Sequence, residues 1–249
     1  MTTKPTRSAQ LGNLATAHHL LVHQGVLDTF GHVSFRDPDR VDRFWLSRAL
    51  PPNRVEVSDF LVFGLDGEPV EPSDAALFSE RYIHSAIYAL RSDVHSIGHH
   101  HPPTLLPFCL VQAPLIAVSQ TGAFLGNGTP LWDSADEFGP TRMLVDTPDQ
   151  AASLARALGD KSLVLMRGHG ATVVGRSIKD VVFKSIYACH DASFQLAAAT
   201  LGPVKPLSDG EIEKGRVPAD TALNRGWDFW TRELGALVAS SELDRGTRA

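Results

Sequence analysis

The chain has 249 residues, of which 43% are hydrophobic and 20% are charged. This composition supports a buried core and excludes a disordered chain, a collagen and a coiled coil. The 23 basic and 28 acidic residues give a formal net charge of −5, and because no run of lysine and arginine is long enough to follow a phosphate backbone, nucleic acid is excluded as a partner.

Apolar runs and cysteines place further bounds on the protein. No apolar stretch approaches the roughly 18 residues of a membrane-spanning helix, and Met1–Gln10 lacks the apolar centre of a signal peptide. We therefore expect no membrane contact and a cytoplasmic location. Cys109 and Cys189 are too few for a disulfide framework or a thiolate metal site, and we expect both to be reduced core residues.

Periodicity divides the chain into intermixed helices and short strands. In chain order the predicted elements are a helix over 11–25, strands over 31–36, 43–47 and 60–64, a helix over 79–90, a strand over 94–101, a helix over 151–158, strands over 163–166 and 173–174, and a helix over 179–201. Trp227 and Trp230 follow at helical spacing and are predicted to be packing anchors. This intermixing predicts a single α/β or α+β layer domain.

The strongest chemical signal is the run Gly98-His99-His100-His101-Pro102-Pro103. Residues two apart in a strand point to the same side, so His99 and His101 share a face while His100 points away. Two imidazoles on one side of a strand end form a pair of metal ligands. Taken alone, such a run is more often an exposed polar segment.

A third histidine stands in Arg167-Gly168-His169-Gly170, directly after an apolar predicted strand. The flanking glycines let the backbone turn tightly around this imidazole. His169 would complete a three-histidine site with one or two open positions, which is typical of a catalytic rather than a structural metal. The alternative is a turn histidine that is hydrogen-bonded to the backbone.

A carboxylate precedes the histidine pair in the predicted helix over 79–90. Glu80, His84 and Ile87 are spaced i, i+4, i+7 and therefore share one stripe of that helix, which can face the strand ends. A carboxylate beside a metal acts as an acid/base group or as a further ligand. The alternative for Glu80 is a solvated surface charge.

Together these motifs resemble the class II aldolase/adducin family. The matching segments are Gly31–Arg36, where members commonly show Gly-Asn-x-Ser-x-Arg, then Glu80–Tyr88, His99-x-His101-Pro102 and Gly168-His169-Gly170. The resemblance implies a single domain over 1–249, with a core over about 11–201 and a helical tail over 202–249. It also implies a three-layer α/β/α fold around a central, mainly antiparallel sheet.

By transfer of positions, the resemblance implies that His99, His101 and His169 bind one divalent cation and that Glu80 is the catalytic acid/base. Three imidazoles with a carboxylate suit Zn²⁺, Fe²⁺, Mn²⁺ or Co²⁺, and we favour zinc. The resemblance further implies a homo-oligomer, often a four-fold symmetric tetramer with active sites at subunit interfaces. Adducins share the fold without this metal chemistry, and retention of all three histidines argues against an adducin-like scaffold.

Three elements with which sugar-phosphate aldolases of this family hold a phosphate are altered here. The asparagine position is His32, the glycine-containing turn is replaced by Leu46-Ser47-Arg48-Ala49, and a Ser-Ser pair is replaced by Phe78-Ser79. We therefore expect His32, Ser47, Arg48 and Ser79 to bind a flatter, carboxylated substrate, because the planar fork of Arg48 matches a carboxylate. The alternatives are an exposed loop arginine at Arg48 and a turn cap at His32.

Decarboxylation and aldol cleavage both leave an electron pair that must be delocalised into an adjacent carbonyl or enol, and a divalent cation stabilises that oxygen in either reaction. Because the phosphate elements are altered, we favour a metal-dependent C–C lyase that decarboxylates a hydroxylated aromatic or hydroxymuconate-type carboxylate through a metal-bound enolate. One alternative is an aldolase or retro-aldolase acting on a non-phosphorylated hydroxy-oxo substrate. The other is an adducin-like interaction protein without enzyme activity.

The acid/base role makes a demand on the surroundings of Glu80. A carboxylic acid beside a dication has a depressed pKa, so it needs an apolar wall to hold its proton near neutral pH. Phe78 and Ile83 are its neighbours in sequence, and we expect them to form this wall.

Overall fold

A computed structural model describes residues 6–246 and the side chains of residues 6–236. The expected cytoplasmic location rests on the composition of Met1–Gln10, and the first five of these residues lie outside the described range. No helix of the described part combines the length and the apolarity needed to cross a membrane. Cys109 and Cys189 are buried free thiols, as predicted.

Seven strands of the described chain form one sheet. Their bounds are β1 His32–Arg36, β2 Arg43–Ser47, β3 Phe60–Gly64, β4 Ser96–His100, β5 Leu131–Trp132, β6 Leu163–Met166 and β7 Gly170–Gly175. The spatial order is β3-β2-β1-β4-β7-β6-β5. Every neighbouring pair is antiparallel except β5 and β6. The prediction of a central, mainly antiparallel sheet is therefore confirmed.

Seven α-helices lie around the sheet within residues 6–246. Their bounds are α1 Arg7–His23, α2 Arg81–Leu90, α3 Ser134–Phe138, α4 Pro148–Leu158, α5 Ile178–Leu201, α6 Asp209–Gly215 and α7 Asp220–Gly246. Local sequence fixes several of these starts, since the side chains of Thr6, Thr147 and Ser177 each accept a hydrogen bond from a backbone N–H of the first turn.

Two apolar clusters, one on each face of the sheet, make the fold a three-layer α/β/α structure. On one face α1 and α5 pack together over inward residues such as Val33, Val173 and Val181. On the other face α2 and α4 pack together over residues such as Phe44 and Ile97. Because α2 begins at Arg81, the residue just before it meets the sheet on the α2/α4 face.

Most predicted elements are present, with corrected ends. The strands over 43–47, 60–64 and 163–166 have the predicted bounds. The predicted helix over 79–90 begins later, at Arg81, so Glu80 is its N-cap residue and not part of its apolar stripe. Leu90, expected on that stripe, is 57% exposed. Trp230 is buried against the core and Trp227 packs on it, which confirms their anchoring role.

Candidate metal centre

The centre lies at one end of the sheet, where β4 stops and the β6–β7 turn begins. His99 is on β4, between His32 of β1 and Thr172 of β7 in the strand register. His101 follows the last residue of β4, and His169 stands in the turn before β7. Strand order alone therefore brings the three histidines to the same end of the sheet.

Two glycines make the third position possible. Gly168 has a φ of 63°, in the left-handed region that glycine adopts without strain. At Gly170 a Cβ would lie 2.5 Å from the carbonyl oxygen of His100 and 2.7 Å from Cδ2 of His101. Only a glycine at this position lets the turn approach β4 closely enough for His169 to meet the histidine pair.

The four predicted groups converge on one point. The ligand atoms of Glu80, His99, His101 and His169 all lie within 4.8 Å of one another. Nε2 of His101 is 2.9 Å from Nε2 of His99 and 3.1 Å from Nε2 of His169. The carboxylate of Glu80 lies 3.4 Å from Nε2 of His99 and 3.5 Å from Nε2 of His169.

The other ring nitrogen of each ligand is already in use. Nδ1 of His101 lies 3.1 Å from a carboxylate oxygen of Asp28, and Nδ1 of His169 lies 2.5 Å from the carbonyl oxygen of Met143. Both partners only accept, so both Nδ1 atoms donate. Nδ1 of His99 lies 3.2 Å from Oγ1 of Thr172, whose own proton is directed to the sulfur of Met166.

The hydrogen bonds at the Nδ1 atoms decide whether the Nε2 atoms can bind a metal. A neutral imidazole that donates through Nδ1 presents a lone pair at Nε2. Burial, followed by the influence of His99, lowers the pKa of His169, which favours its neutral form. His101 and His169 therefore aim two lone pairs at each other across 3.1 Å, beside the carboxylate of Glu80. A cation bound between them satisfies all of these acceptors, so the donor set fits a divalent metal.

Glu80 is buried and ionised. Burial raises the pKa of Glu80, but the positive charge that His99 and His169 carry when protonated, together with the hydrogen bonds from His99 and from the Val145 N–H, outweighs it and lowers the pKa. Oε1 accepts the Val145 N–H at 3.1 Å. The expected apolar wall is therefore wrong as a means of keeping Glu80 protonated: Phe78 packs on the ring of His32, and polar contacts dominate the carboxylate.

One loop holds two of the site groups. Between α3 and α4, the carbonyl of Met143 accepts from His169 and the N–H of Val145 donates to Glu80. Met143 has a φ of 61°, which is strained for a residue with a side chain. Sequence reasoning missed Asp28, Met143, Val145 and Thr172, since their roles come from contacts across the fold and carry no local motif.

The substrate residues predicted from sequence lie at different places. His32 is buried on the same sheet face as His99, with its ring 5.3 Å from that of His99 and 4.4 Å from that of Phe78. Ser79 is exposed and directly precedes Glu80. The structure therefore brings the ring of His32 against that of His99, whereas Ser79 is an exposed residue that neighbours Glu80 in sequence.

Ser47 and Arg48 are farther from the ligands. Ser47 alternates with Leu46 on β2 and so shares the sheet face of Trp45, opposite to that of His32. Its hydroxyl is buried and has no hydrogen-bond partner among the described residues. Arg48 is about half exposed and contacts Asp59 through Nε at 2.7 Å. The structure does not bring either side chain against the three histidines.

His100 lies on the opposite side of the sheet from its two neighbours, as strand parity predicts. A Cβ at Gly98 would contact both Cδ2 of His100 and Cγ1 of Val181, so this face of β4 packs under α5. His100 is fully buried, and neither of its ring nitrogens has a hydrogen-bond partner in the described chain. Burial, followed by the influence of His99, lowers its pKa to about 3.

Comparison with known proteins gives a consistent result. The sequence profile described as "Class II Aldolase and Adducin N-terminal domain" matches residues 12–196. Decarboxylase tropJ of Talaromyces stipitatus is 34% identical over 240 residues, which cover 87% of this chain and 90% of that protein. The 3,4-dihydroxyphthalate decarboxylase of Arthrobacter keyseri is 28% identical over 243 residues, with coverages of 91% and 93%. The structure of L-fuculose 1-phosphate aldolase from Glaciozyma antarctica PI12 matches in fold, with a TM-score of 0.76, 22% identity and 96% of both chains covered.

Proposed function

This chain belongs to the class II aldolase and adducin family, and from that premise we propose that it is a divalent-metal-dependent lyase that decarboxylates a hydroxylated aromatic or hydroxymuconate-type carboxylate. The observation that carries the proposal is the meeting of three imidazole nitrogens and one carboxylate at a single point. The names of two relatives, Decarboxylase tropJ and 3,4-dihydroxyphthalate decarboxylase, support the reaction, and the second supports an aromatic substrate.

His99, His101 and His169 would hold the cation, with Glu80 as a further ligand or as the acid/base group. A divalent cation bound there supplies Lewis-acid stabilisation of negative charge on a substrate oxygen. We propose zinc, because three imidazoles and an open position match a catalytic zinc site. Iron, manganese and cobalt accept the same donors.

Glu80 would move the proton that the reaction requires. Before the C–CO₂ bond can break, the ring carbon that carries the carboxylate must gain a proton while the hydroxyl next to it becomes a carbonyl; CO₂ would then leave, and the electron pair would flow into that carbonyl and restore the ring as a phenoxide. Since Glu80 starts ionised, with Oε1 occupied by the Val145 N–H, Oε2 first takes a proton from the substrate hydroxyl. The same oxygen then returns the proton to the carbon, and no other reactant is needed.

Arg48 is our proposed partner for the substrate carboxylate. The N–H of Ala49 donates to the carbonyl of Ala76 at 2.7 Å, which ties the segment of Arg48 to the segment that leads into Phe78. Only Nε of Arg48 is engaged, by Asp59, so its terminal amino groups are open among the described residues. We expect Arg48→Ala to raise KM at least about tenfold with unchanged metal content. An unchanged KM would favour the non-phosphorylated aldolase alternative.

Ser79 and His32 complete the proposed pocket. Ser79 precedes Glu80 at the exposed rim, where its hydroxyl can reach a bound substrate. His32 lines the buried side next to His99. Ser47 faces the other side of the sheet, so we propose that it acts only through the backbone position of Arg48.

Metal analysis and a product screen test the function. We expect about one divalent ion per chain after gentle purification and CO₂ release from members of a panel of dihydroxyaromatic and hydroxymuconate-type acids. His169→Ala should lose metal and activity together, whereas Glu71→Gln, an exposed carboxylate away from the site, should lose neither. Aldehyde with pyruvate or a ketone as products would indicate the aldolase alternative. Absence of bound metal would leave the adducin-like alternative.

We also propose that the protein is a homo-oligomer, with a tetramer as the expected form, acting on a small-molecule carboxylate. This proposal rests on the family to which the chain belongs. Light scattering at micromolar chain concentration should give about four times the chain mass of 27.0 kDa. A monomer mass would overturn it.

A further inference from the structure

A chain of buried hydrogen bonds ends at His32, beside the metal centre. Oγ of Ser34 lies 2.8 Å from the hydroxyl of Tyr88 and 2.7 Å from Nδ1 of His84. Nε2 of His84 lies 2.7 Å from Nδ1 of His32. All four side chains are almost fully buried, and none of them is a proposed metal ligand.

Only one direction of proton donation along this series of hydrogen bonds gives every hydroxyl proton an acceptor. If His32 donated to His84, donation would pass through Ser34 to Tyr88, and the buried phenol proton would have no acceptor among the described residues. In the opposite direction Tyr88 donates to Ser34, Ser34 donates to Nδ1 of His84, and Nε2–H of His84 donates to Nδ1 of His32. A buried donor without an acceptor costs more than an acceptor with an empty lone pair, so the second direction is favoured.

This direction fixes the tautomer of His32. Since Nδ1 of His32 accepts from His84, a neutral His32 carries its proton on Nε2. The two nitrogens of His32 lie on different sides of its ring, so Nε2 points away from His84. The ring itself packs against Phe78 and His99. No partner for Nε2 of His32 is present among the described residues, and the proton is therefore available to a ligand.

We propose that the Tyr88–Ser34–His84 relay holds His32 as a hydrogen-bond donor through Nε2, and that this donor binds an anionic oxygen of the substrate. His84, Ser34 and Tyr88 are then positioning residues that act through His32. The inference deepens the proposed function and rests on it for the identity of the ligand. The tautomer itself does not depend on the reaction.

The tautomer can be measured directly. We would record magic-angle-spinning NMR spectra of the zinc-loaded protein labelled with ¹⁵N in its histidine rings, and assign His32 as the signals lost in His32→Asn. The proposal expects a protonated Nε2 and an unprotonated Nδ1. A protonated Nδ1 on His32 would overturn it, whatever the enzyme catalyses.

A matched pair of variants tests the relay. Ser34→Ala removes the donor to His84, so both tautomers of His84 become accessible and a protonated Nδ1 signal should appear for His32. Ser96→Ala also removes a buried hydroxyl from the sheet, one that donates to the backbone carbonyl of Ser34 and touches no relay ring, and it should leave the signals of His32 unchanged. Identical His32 signals in wild type and Ser34→Ala would overturn the relay.

Ligand binding tests the donor role. With the zinc-loaded protein, His32→Phe should weaken binding of 3,4-dihydroxybenzoate about 10- to 100-fold, the effect of a lost hydrogen bond to a charged oxygen. His32→Asn, which keeps an N–H donor, should stay much closer to wild type. A loss confined to 3,4-dihydroxybenzoate identifies the carboxylate as the partner, and an equal loss for catechol identifies a ring oxygen. Unchanged binding of both probes in His32→Phe would overturn the donor role, and failure of the wild type to bind either would count against the proposed function instead.

Discussion

A histidine serves as a metal ligand only when its free nitrogen is unprotonated and correctly aimed, and in this chain the neighbours of each ring decide both properties. Asp28 and the carbonyl of Met143 accept from Nδ1 of His101 and His169, which leaves the Nε2 lone pairs for a metal. The accepting groups are as important as the ligands, since a ring with the wrong tautomer would present a proton to the cation.

Asp28→Ala should therefore weaken metal binding although Asp28 is not a ligand. The carboxylate of Asp28 fixes the ring of His101 and raises the basicity of Nε2, and loss of such a partner costs about 10- to 100-fold in metal affinity. Competition with a chelator measures the dissociation constant. Asp39→Asn is the matched control, because Asp39 is an exposed carboxylate that pairs with Arg7. Equal affinities for Asp28→Ala and wild type would contradict this role.

Glu80→Gln tests the proton transfer separately from substrate binding. Glutamine keeps the size of the side chain and can still accept the Val145 N–H, but it cannot exchange a proton. Loss of general acid–base catalysis typically costs 10²- to 10⁴-fold, so turnover should fall by about that factor while the dissociation constant for substrate changes little. Steady-state kinetics and equilibrium binding measure the two effects, and near-full turnover would contradict the role of Glu80.

That the histidines of the candidate centre come together could be predicted from sequence because their spacing is local: His99 and His101 are two residues apart at the end of a strand, and glycines stand on both sides of His169. Their partners could not be predicted in this way. Asp28 is 73 residues from His101, and Met143 is 26 residues from His169. The ionised state of Glu80 was missed for the same reason, since it depends on His99 and on the N–H of Val145. Contacts of this range become visible only in the folded chain.

At the scale of elements, strand order explains why the centre forms where it does. β4 lies between β1 and β7, so His99 on β4 and His101 just after it lie beside His32 of β1 on one side and His169 in the turn before β7 on the other. Alternation and apolar runs were sufficient to predict these strands. The two-residue strand β5 and the five-residue helix α3 were not predicted, because neither is long enough to show a period.

The junction between α1 and β1 depends on a buried neutral histidine. Nδ1–H of His18 donates to the carbonyl of Leu14, and Nε2 accepts the N–H of Val33 at 3.1 Å. A protonated His18 could not accept from Val33, and the burial of its ring lowers its pKa to about 4. In the unfolded chain the pKa returns to its ordinary value near 6.5.

The stability of the protein should therefore fall as the pH falls from about 6.5 towards 4. In that window the unfolded chain binds a proton at His18 that the folded chain does not, so acid favours unfolding. His18 alone should contribute a loss of about 2 kcal/mol between pH 7 and pH 5. Urea unfolding at both pH values should show a smaller loss for His18→Gln than for wild type. The buried His84 and His100, whose pKa values are also lowered, contribute the same pH dependence of stability in both proteins. Equal losses in His18→Gln and wild type would therefore contradict the role of His18.

At the scale of the whole molecule, the centre joins segments that are far apart in the sequence. Glu80 lies before α2, His99 and His101 lie at the end of β4, and His169 lies before β7. The apolar clusters on the two faces of the sheet do not depend on this junction, since each is built from helices packed on strands. A metal should therefore add stability to a fold that forms without it.

Metal binding should raise the melting temperature by a predictable amount. A ligand that binds only the folded state, at 100 times its dissociation constant, stabilises it by about 2.7 kcal/mol, and a domain of this size gains about 2–4 °C per kcal/mol. Zinc added to chelator-treated protein at that excess should therefore raise the melting temperature by about 5–10 °C at constant chain concentration. His169→Ala should lose most of this increase, because one of three imidazole ligands is removed, whereas Asp39→Asn should keep all of it. An equal increase in His169→Ala would show that zinc stabilises the fold from another place, and no increase in the wild type would show that these four side chains do not bind zinc.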